Sequence, residues 1–492
     1  MIGASRRPGT VGGEVVRNLL AAGFSGPLHL VNVRGGEVAG RPTVPTIADV
    51  EGDVELAVIV VPANAVLAVA RACAAKGVRA LVVLTGGFAD VGPAGRARQD
   101  ELLAVCRAAG MRMVGPNCLG VANPRPETAL NATVAPTAPT PGDVGFASQS
   151  GGFGSAAIDA AAARGIGFSS FVTMGGKADL SGNDFLEYWE QDPDTAVVLL
   201  YLDSFGNPRR FGRIARRITT AKPIVAVKSA RAAAAGRRAA SSHIGALLAA
   251  AEVTVDALFA HAGVLRAETV GEMFDVAGLL ARQPLPRGDR VAVLTNAGGP
   301  GVACADACEA AGLRIERLSD ATRKQLAEGL RAEVSSGNPV DMTASATAEQ
   351  YERSLRVLLH DDAVDAVVTI FVRPLAARAA EVARGIAAAA ERADRPVLAV
   401  WLGADAPAAA DTGTVPRFST PEEAVRALAH AVQHARRRAA PPDPPFEPTD
   451  ADTATAATTV AEGLGRGGGW LPSDDVERLL HCWGIPVVAS RL

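Results

Sequence analysis

The sequence predicts an α/β fold in which parallel sheets covered by helices form three successive domains. Short β-branched runs alternate with helical stretches along most of the chain, a pattern typical of parallel strands joined by crossover helices. Several of these runs end directly in a glycine-rich turn that leads into a helix. The chain has 492 residues, of which 48% are hydrophobic and 21% charged, so length and composition suit about three globular domains.

Composition and charge exclude several functional classes. The formal net charge of −3 gives no indication of nucleic acid or of an acidic membrane surface as a partner. No apolar run approaches the roughly 20 residues that span a bilayer, and no signal peptide is recognisable after Met1. The six cysteines form no CxxC pair, and Cys304 and Cys308 have a spacing more typical of a helix core than of a metal site. We therefore expect a reduced, cytoplasmic protein without a metal centre.

The first domain, predicted over residues 1–125, opens with a glycine-rich turn that leads into an apolar helix over 15–22. Backbone amides at such a helix start can hold a pyrophosphate, and Arg6 and Arg7 would offset its charge. The turn differs from the dinucleotide motif GxGxxG, and a tight turn without a ligand is the alternative. The strand expected before the turn is missing, because only Met1 and Ile2 precede Gly3.

Further parallel strands are predicted over 28–33, 56–61 and 80–84. Ligands of such sheets bind beyond the carboxyl ends of the strands, so the residues that follow these strands, and the later turn 115–120, join the candidate site. The predicted cofactor-binding residues are Gly3, Ala4, Ser5, Arg6, Arg7, Gly12, Val61, Pro62, Gly86 and Asn117.

The second domain, predicted over residues 126–283, contains a candidate oxyanion site. A strand over 144–147 runs straight into Ser148-Gln149-Ser150-Gly151-Gly152, and a helix follows over 155–164. Amides and hydroxyls at a helix start favour an anion, which makes Ser150, Gly151 and Gly152 candidate phosphate-binding residues. A helix cap without a ligand is the alternative. Later strands are predicted over 168–174, 197–202 and 224–228, and Asp203 follows the second of them.

A histidine between small residues, His243 in Ser242-His243-Ile244-Gly245, is the candidate nucleophile. Its ordinary pKa near 6.5 leaves imidazole mostly uncharged at neutral pH, so it could attack a phosphoryl group. A surface or hydrogen-bonded histidine is the alternative interpretation.

The third domain, predicted over residues 284–437, repeats the plan of the second. A strand over 291–294 leads into the glycine-rich turn 295–301, which suggests a duplicated flavodoxin-like layer. Strands over 364–372 and 397–401 and a helix over 421–436 complete it. Proline-rich and then small polar residues over 438–469 predict a linker, and residues 470–492 form a short tail.

In this order, four motifs resemble the nucleoside-diphosphate-forming acyl-CoA synthetase family, which includes ADP-forming acetate–CoA ligases and relatives of the succinyl-CoA synthetase α subunit. The motifs are Gly3-Ala4-Ser5-Arg6, Gly115-Pro116-Asn117-Cys118-Leu119-Gly120, Ser148-Gln149-Ser150-Gly151-Gly152 and Ser242-His243-Ile244-Gly245-Ala246-Leu247. The resemblance extends to residue 437 and implies a Rossmann-like CoA-binding domain followed by two flavodoxin-like succinyl-CoA-synthetase domains. The tail looks like the truncated start of an ATP-grasp domain.

The resemblance also implies a reaction. Acyl-CoA and phosphate give acyl phosphate and CoA, and the loop histidine, here His243, then carries the phosphoryl group to ADP. Ser150 and Gly151 match the phosphate-holding helix start. Asp203 matches a glutamate that orients the histidine, and Ile244 replaces a threonine. CoA is the implied cofactor, with ATP or ADP and Mg²⁺ bound only through the missing ATP-grasp domain or subunit. The implied partners are a small carboxylate or acyl phosphate, and an oligomer is expected.

Two alternatives stay open at this point. The stretch 201–211 looks like family members that are fused to GNAT-type protein lysine acetyltransferases, in which this module senses CoA or acyl-CoA. An NAD-binding oxidoreductase is the weaker alternative, because GxGxxG is absent and no catalytic His/Asp pair is apparent.

Overall fold

The computed structural model describes residues 1–228, 254–329, 337–373, 379–403, 414–440, 451–467 and 469–488. The chain divides into two compact units, Met1–Ala439 and Ala440–Leu492. Three sheet layers with flanking helices make up the described part of the first unit, and two helices make up that of the second. The predicted α/β class is confirmed.

The first sheet is doubly wound around Ile2. Ile2 pairs in parallel with Val31 on one side and with Ile59 on the other, and its N–H donates to the carbonyl of Val58 at 2.8 Å. Met1 and Ile2 therefore take the place of the central strand that was expected to be missing. Across the sheet, the strands run in the order Gly36–Val38, Arg41–Val44, Leu30–Val31, Ile2, Leu56–Ile59, Ala80–Val83 and Arg112–Val114.

The helices of the first domain are Val11–Ala22, Ala63–Lys76 and Pro93–Ala108, with short 3₁₀ turns at Ile47–Asp49 and Ala89–Val91. The first helix begins before the predicted position because the side chain of Thr10 accepts a hydrogen bond from the N–H of Gly13 and caps it. Gly12 lies inside this helix, and a Cβ there would come within 2.1 Å of the Gly3 carbonyl oxygen. Glycine thus lets the helix pack directly on the turn that follows the central strand.

The second sheet has seven strands, in the order Leu265–Arg266, Ile224–Lys228, Val197–Leu202, Pro141–Ser148, Phe168–Thr173, Gly120–Asn123 and Leu130–Thr133. The last two are antiparallel to their neighbours, and the others are parallel. The sheet therefore includes residues from 120 onward, inside the range assigned to the first domain. Its helices are Gly151–Ala163, Gly182–Gln191, Pro208–Ile218 and Val270–Arg282, and residues 254–262 are also helical.

The third sheet is parallel, in the order Val340–Asp341, Val291–Thr295, Ala366–Val372, Val397–Leu402 and Arg417–Phe418. Its helices are Gly298–Ala310, Asp320–Gly329, Ala348–Leu359, Ala379–Ala390 and Pro421–Ala439. The predicted duplication is confirmed, but the two layers are not separate bodies. Phe146 and Phe274 of the second layer belong to the same buried cluster as Val293 and Leu428 of the third.

Part of the predicted linker over residues 438–469 is helical. Residues Thr453–Gly465 form a helix, and a second helix covers Ser473–Cys482. The side chain of Asp452 caps the first helix by accepting from the N–H of Thr455 at 3.0 Å. A Cβ on Gly463 would lie 2.5 Å from the side chain of Leu471, so the small residues that looked like linker composition allow the chain to pack closely against the helix.

Candidate functional site

A cavity of 570 Å³ opens at the carboxyl end of the first sheet, directly after the central residue Ile2. Strands continue to either side of Ile2, so this is the topological switch point at which doubly wound sheets bind ligands. Of the predicted cofactor-binding residues, Gly3, Ala4, Val61 and Pro62 line the cavity. Gly3 has φ +93°, and a Cβ there would lie 2.1 Å from the Val60 carbonyl oxygen, so only glycine fits.

The remaining residues of the glycine-rich turn support it rather than line the cavity. The Arg6 guanidinium donates to the carbonyl oxygens of Gly35 at 3.0 Å and Glu37 at 2.5 Å. Ser5 Oγ accepts from the N–H of Arg7 at 3.2 Å. Arg34, which was not among the predicted site residues, also lines the cavity and adds a cation to it.

A second cavity, of 650 Å³, lies at the other end of the same sheet, beside Met1, His29 and Glu55. These residues are at the amino ends of the strands, where doubly wound sheets do not bind their ligands. The smaller cavity is therefore the better candidate for a cofactor.

The predicted phosphate turn follows the central strand of the second sheet, again at a switch point. Ser148 Oγ donates to the Ser150 carbonyl at 2.8 Å and accepts from its N–H at 3.1 Å. Ser150 Oγ accepts from the N–H of Phe153 at 3.2 Å and so caps the helix Gly151–Ala163. The first N–H groups of a helix have no acceptor within it, so the amides of this turn are suited to an anion.

Gln149, which was not among the predicted site residues, joins this turn to the loop after the neighbouring strand Val197–Leu202. Its Oε1 accepts from the N–H groups of Asp203 at 2.8 Å and Ser204 at 3.0 Å, and its Nε2 donates to the Ser204 carbonyl at 2.5 Å. The side chain is buried, so these three bonds fix the loop after the strand Val197–Leu202 against the phosphate turn.

The turn Gly115–Gly120 connects the two predicted sites. The Leu119 N–H donates to Thr173 Oγ1 at 2.7 Å, and a Cβ on Gly151 would lie 3.5 Å from that Leu119 nitrogen. A Cβ on Gly86 would lie 3.1 Å from Asn117 Oδ1. Gly86 and Asn117 thus lie at the side of the first domain that faces the phosphate turn. Gly3, Ala4, Val61 and Pro62 line its cavity instead.

The thiol of Cys118, in the same turn, is not a nucleophile in this arrangement. It is buried and donates to the Val83 carbonyl at 3.3 Å. Burial raises its pKa to about 12, so the thiol stays protonated at neutral pH.

His243 and its neighbours lie outside the described residues. Asp203 is exposed at the end of the strand Val197–Leu202. Leu202 of that strand pairs with Lys228, the last described residue before the segment that contains His243. The strand Ile224–Lys228 therefore ends level with Leu202, next to Asp203. A contact between the side chains of Asp203 and His243 stays a prediction.

The third sheet repeats the phosphate turn in part. Thr295 Oγ1 donates to the Ala297 carbonyl at 2.9 Å and accepts from its N–H at 3.1 Å, as Ser148 does with Ser150. The Asn296 amide exchanges two bonds with the backbone of Val372. Ala297 has no hydroxyl to cap its helix, and a Cβ on Gly298 would lie 3.0 Å from Asp341 Oδ2. The two turns share their anchoring but differ in their caps.

The sequence matches three family models. They describe a CoA binding domain over residues 1–124, a succinyl-CoA ligase like flavodoxin domain over 141–280 and a ligase-CoA domain over 291–431. Subunit alpha of acetate–CoA ligase (ADP-forming) II from Pyrococcus furiosus is 37% identical over 444 residues, which cover 89% of this chain and 96% of that one. The chain belongs to the ADP-forming acetate–CoA ligase family.

Two further members add detail. Acetate–CoA ligase (ADP-forming) I from Archaeoglobus fulgidus is 40% identical over 75% of this chain but only 53% of its own length. The dinucleotide-forming acetyl-coenzyme A synthetase 1 of Candidatus Korarchaeum cryptofilum, solved with phosphate and ADP, superposes with a TM-score of 0.80 at 32% identity, over 89% of this chain and 95% of that one. As a member of this ligase family, the chain is alpha-subunit-like and carries the CoA-binding domain.

Two features are absent from the described residues. No helix among them is long and apolar enough to cross a membrane. Nor do they contain a cluster of three or more His, Cys, Asp or Glu side chains that could hold a metal ion.

Proposed function

We propose that this chain performs the CoA-dependent half of an ADP-forming acyl-CoA ligase reaction and carries the phosphoryl group on His243. The observation that supports it most strongly is the contact between the CoA-binding domain and the phosphate turn. The turn Gly115–Gly120 ends the CoA-binding domain and packs on Gly151 at the phosphate turn. A thioester carried by CoA can thus be presented to a phosphate bound at the second sheet.

In the first step, an oxygen of inorganic phosphate attacks the thioester carbonyl of acyl-CoA. The carbon–sulfur bond breaks, the acyl phosphate forms, and the CoA thiolate takes up a proton. The amides of Gly151 and Gly152 and the cap at Ser150 would hold the phosphate, since a helix start carries partial positive charge. The cavity lined by Gly3, Ala4, Val61 and Pro62 would hold the nucleotide end of CoA.

In the second step, a neutral ring nitrogen of His243 attacks the phosphorus of the acyl phosphate. The bond between phosphorus and the acyl oxygen breaks, the carboxylate leaves, and phosphohistidine remains. Asp203 would accept a hydrogen bond from the other ring nitrogen and so fix the tautomer. The named relatives make acetate the first carboxylate to test.

The phosphoryl group would then pass to ADP and Mg²⁺ on an ATP-grasp subunit or domain. Two observations support such a partner. The chain spans nearly all of the alpha subunit from Pyrococcus furiosus but about half of the relative from Archaeoglobus fulgidus. In the second unit, moreover, large apolar side chains are exposed, including Trp470, Trp483, Ile485 and Val488. We propose that residues 470–492 open that domain.

A thiol-release assay tests the proposal. Purified chain with acetyl-CoA and phosphate should release CoA thiol and form acetyl phosphate, which phosphorus NMR distinguishes from inorganic phosphate. Addition of Mg²⁺ and ADP should yield no ATP until an ATP-grasp subunit is supplied. Tight CoA binding without any thiol release would instead favour the sensing module, whereas heat of binding with NAD but not with CoA would contradict both.

A further inference from the structure

The loop Gly175–Asp179, which the proposed mechanism does not use, is held firmly against the turn that joins the two sites. The N–H groups of Gly176 and Ala178 donate to the carbonyls of Pro116 and Gly115 at 2.7 and 3.1 Å. Gly175 has φ +52°, and a Cβ there would lie 2.1 Å from the Asn117 carbonyl oxygen. The backbone therefore presents Lys177 in a defined position at the carboxyl edge of the second sheet.

The ammonium of Lys177 reaches the loop that Gln149 anchors. Its Nζ donates to the Ser204 carbonyl at 2.8 Å and to Ser204 Oγ at 2.5 Å. The same carbonyl accepts from Gln149 Nε2, so Lys177 lies beside the residue that directly precedes Ser150. An ammonium has three protons to donate, and the described contacts use two of them.

Lys177 has neutral partners. Across the described parts of the chain, its ammonium forms no ion pair, and both of its acceptors belong to Ser204. Burial lowers the pKa of this amine, the charge of Asp203 counteracts the shift, and Lys228 adds to it. A partly buried cation without a paired carboxylate is more favourable when an anion binds next to it.

We propose that Lys177 is a catalytic residue that donates a hydrogen bond to the phosphoryl group bound at Ser150, Gly151 and Gly152, first as inorganic phosphate and then as acyl phosphate. The ligand class is a tetrahedral phosphate oxyanion. This inference rests on the proposed function and adds to it a side-chain cation that contacts the loop anchored by Gln149 and has a proton to spare. The lysine would neutralise oxygens that the backbone amides do not reach.

The test compares Lys177→Met with a matched lysine. Lys222 also donates to two carbonyl oxygens, those of Trp189 and Asp192, but it lies away from the phosphate turn. Inorganic phosphate is titrated into the full chain and followed by calorimetry or phosphorus NMR, and CoA is titrated separately. Loss of a charged hydrogen bond predicts that Lys177→Met weakens phosphate affinity about tenfold or more. CoA affinity should change less than twofold, Lys222→Met should bind phosphate like the parent, and Lys177→Arg should recover part of the loss.

A second measurement needs no variant. Reductive methylation of the unaltered chain, followed by peptide mass spectrometry, should be slower at Lys177 in phosphate than in chloride of equal ionic strength, with no such difference at Lys222. Equal phosphate affinity in parent and Lys177→Met, or equal methylation of Lys177 in both salts, overturns this inference alone. A parent chain that binds no phosphate overturns the proposed function as well.

Discussion

At the scale of single residues, the candidate site depends on side chains whose partners are far away in the sequence. The glycines of the two turns and Ser150 could be predicted, because a glycine-rich turn between a strand and a helix is a local signal. Gln149 and Lys177 could not, since both act on Ser204, 55 and 27 residues further on. Only the pairing of the strands brings Ser204 beside them.

Gln149→Ala should loosen the phosphate turn. Three hydrogen bonds would be lost at a buried position, which costs about 1–3 kcal/mol of unfolding free energy. Phosphate affinity should fall about tenfold, because the loop that carries Ser204 and Asp203 would no longer be fixed. Asn18→Ala is the control: it removes a buried amide that donates to the Thr133 and Ala135 carbonyls, and should destabilise the fold without affecting phosphate. Equal phosphate affinity in both variants would argue against an anchoring role for Gln149.

His434 should make the stability of the chain depend on pH. It is buried, and burial, with the charges of Arg438 and Arg437, lowers its pKa to about 4. In the unfolded chain this imidazole has its ordinary pKa of about 6.5. Above that pH the histidine does not reduce the free energy of unfolding. As the pH falls from 6.5 toward 4, only the unfolded chain takes up the proton, and the free energy of unfolding falls by up to about 1.4 kcal/mol per pH unit. Urea midpoints at pH 7 and pH 5 should differ less in His434→Leu than in the parent. Replacing the exposed His360 by Gln should leave the difference as it is.

At the scale of elements, the parallel strands and their glycine turns were predictable because buried parallel strands form continuous β-branched runs. The strands Gly120–Asn123 and Leu130–Thr133 were missed because each has four residues and pairs antiparallel, and because the first of them pairs with residues some 50 positions later. The helix Thr453–Gly465 was missed because its small polar residues are equally typical of a linker. The contact of this helix with the side chain of Leu471 distinguishes it from a linker, and the local sequence does not indicate that contact.

Gly175→Ala tests whether the two loops must stay in contact. Alanine would be strained at φ +52° and would collide with the Asn117 carbonyl. We therefore expect the free energy of unfolding to fall by about 2 kcal/mol or more and the thiol-release activity to be lost. Gly110→Ala separates the two effects, because Gly110 has φ +68° but nothing within 4 Å of its Cβ position. The free energy of unfolding of that variant should fall by about 1 kcal/mol, and its thiol-release activity should be kept. If both variants keep their activity, the contact between the loops is not required for the reaction.

At the scale of the whole molecule, one unit, Met1–Ala439, contains the three sheets, and the second and third layers share a core. The number and class of the layers follow from the alternation of strands and helices. The shared core does not, because the helices Val270–Arg282 and Pro421–Ala439 that join the layers are more than 130 residues apart. Neither helix has a sequence pattern that identifies the other as its partner.

In the proposed reaction, phosphate taken from solution reaches His243 through an acyl phosphate made at the expense of acyl-CoA. The most direct measurement is incubation of the purified chain with acetyl-CoA and ³²P-labelled phosphate, followed by denaturation and treatment with acid or base. We expect a label that is stable to base, is lost in acid, requires acetyl-CoA, and is absent from His243→Ala. Labelling of His243→Ala equal to that of the parent chain would contradict it.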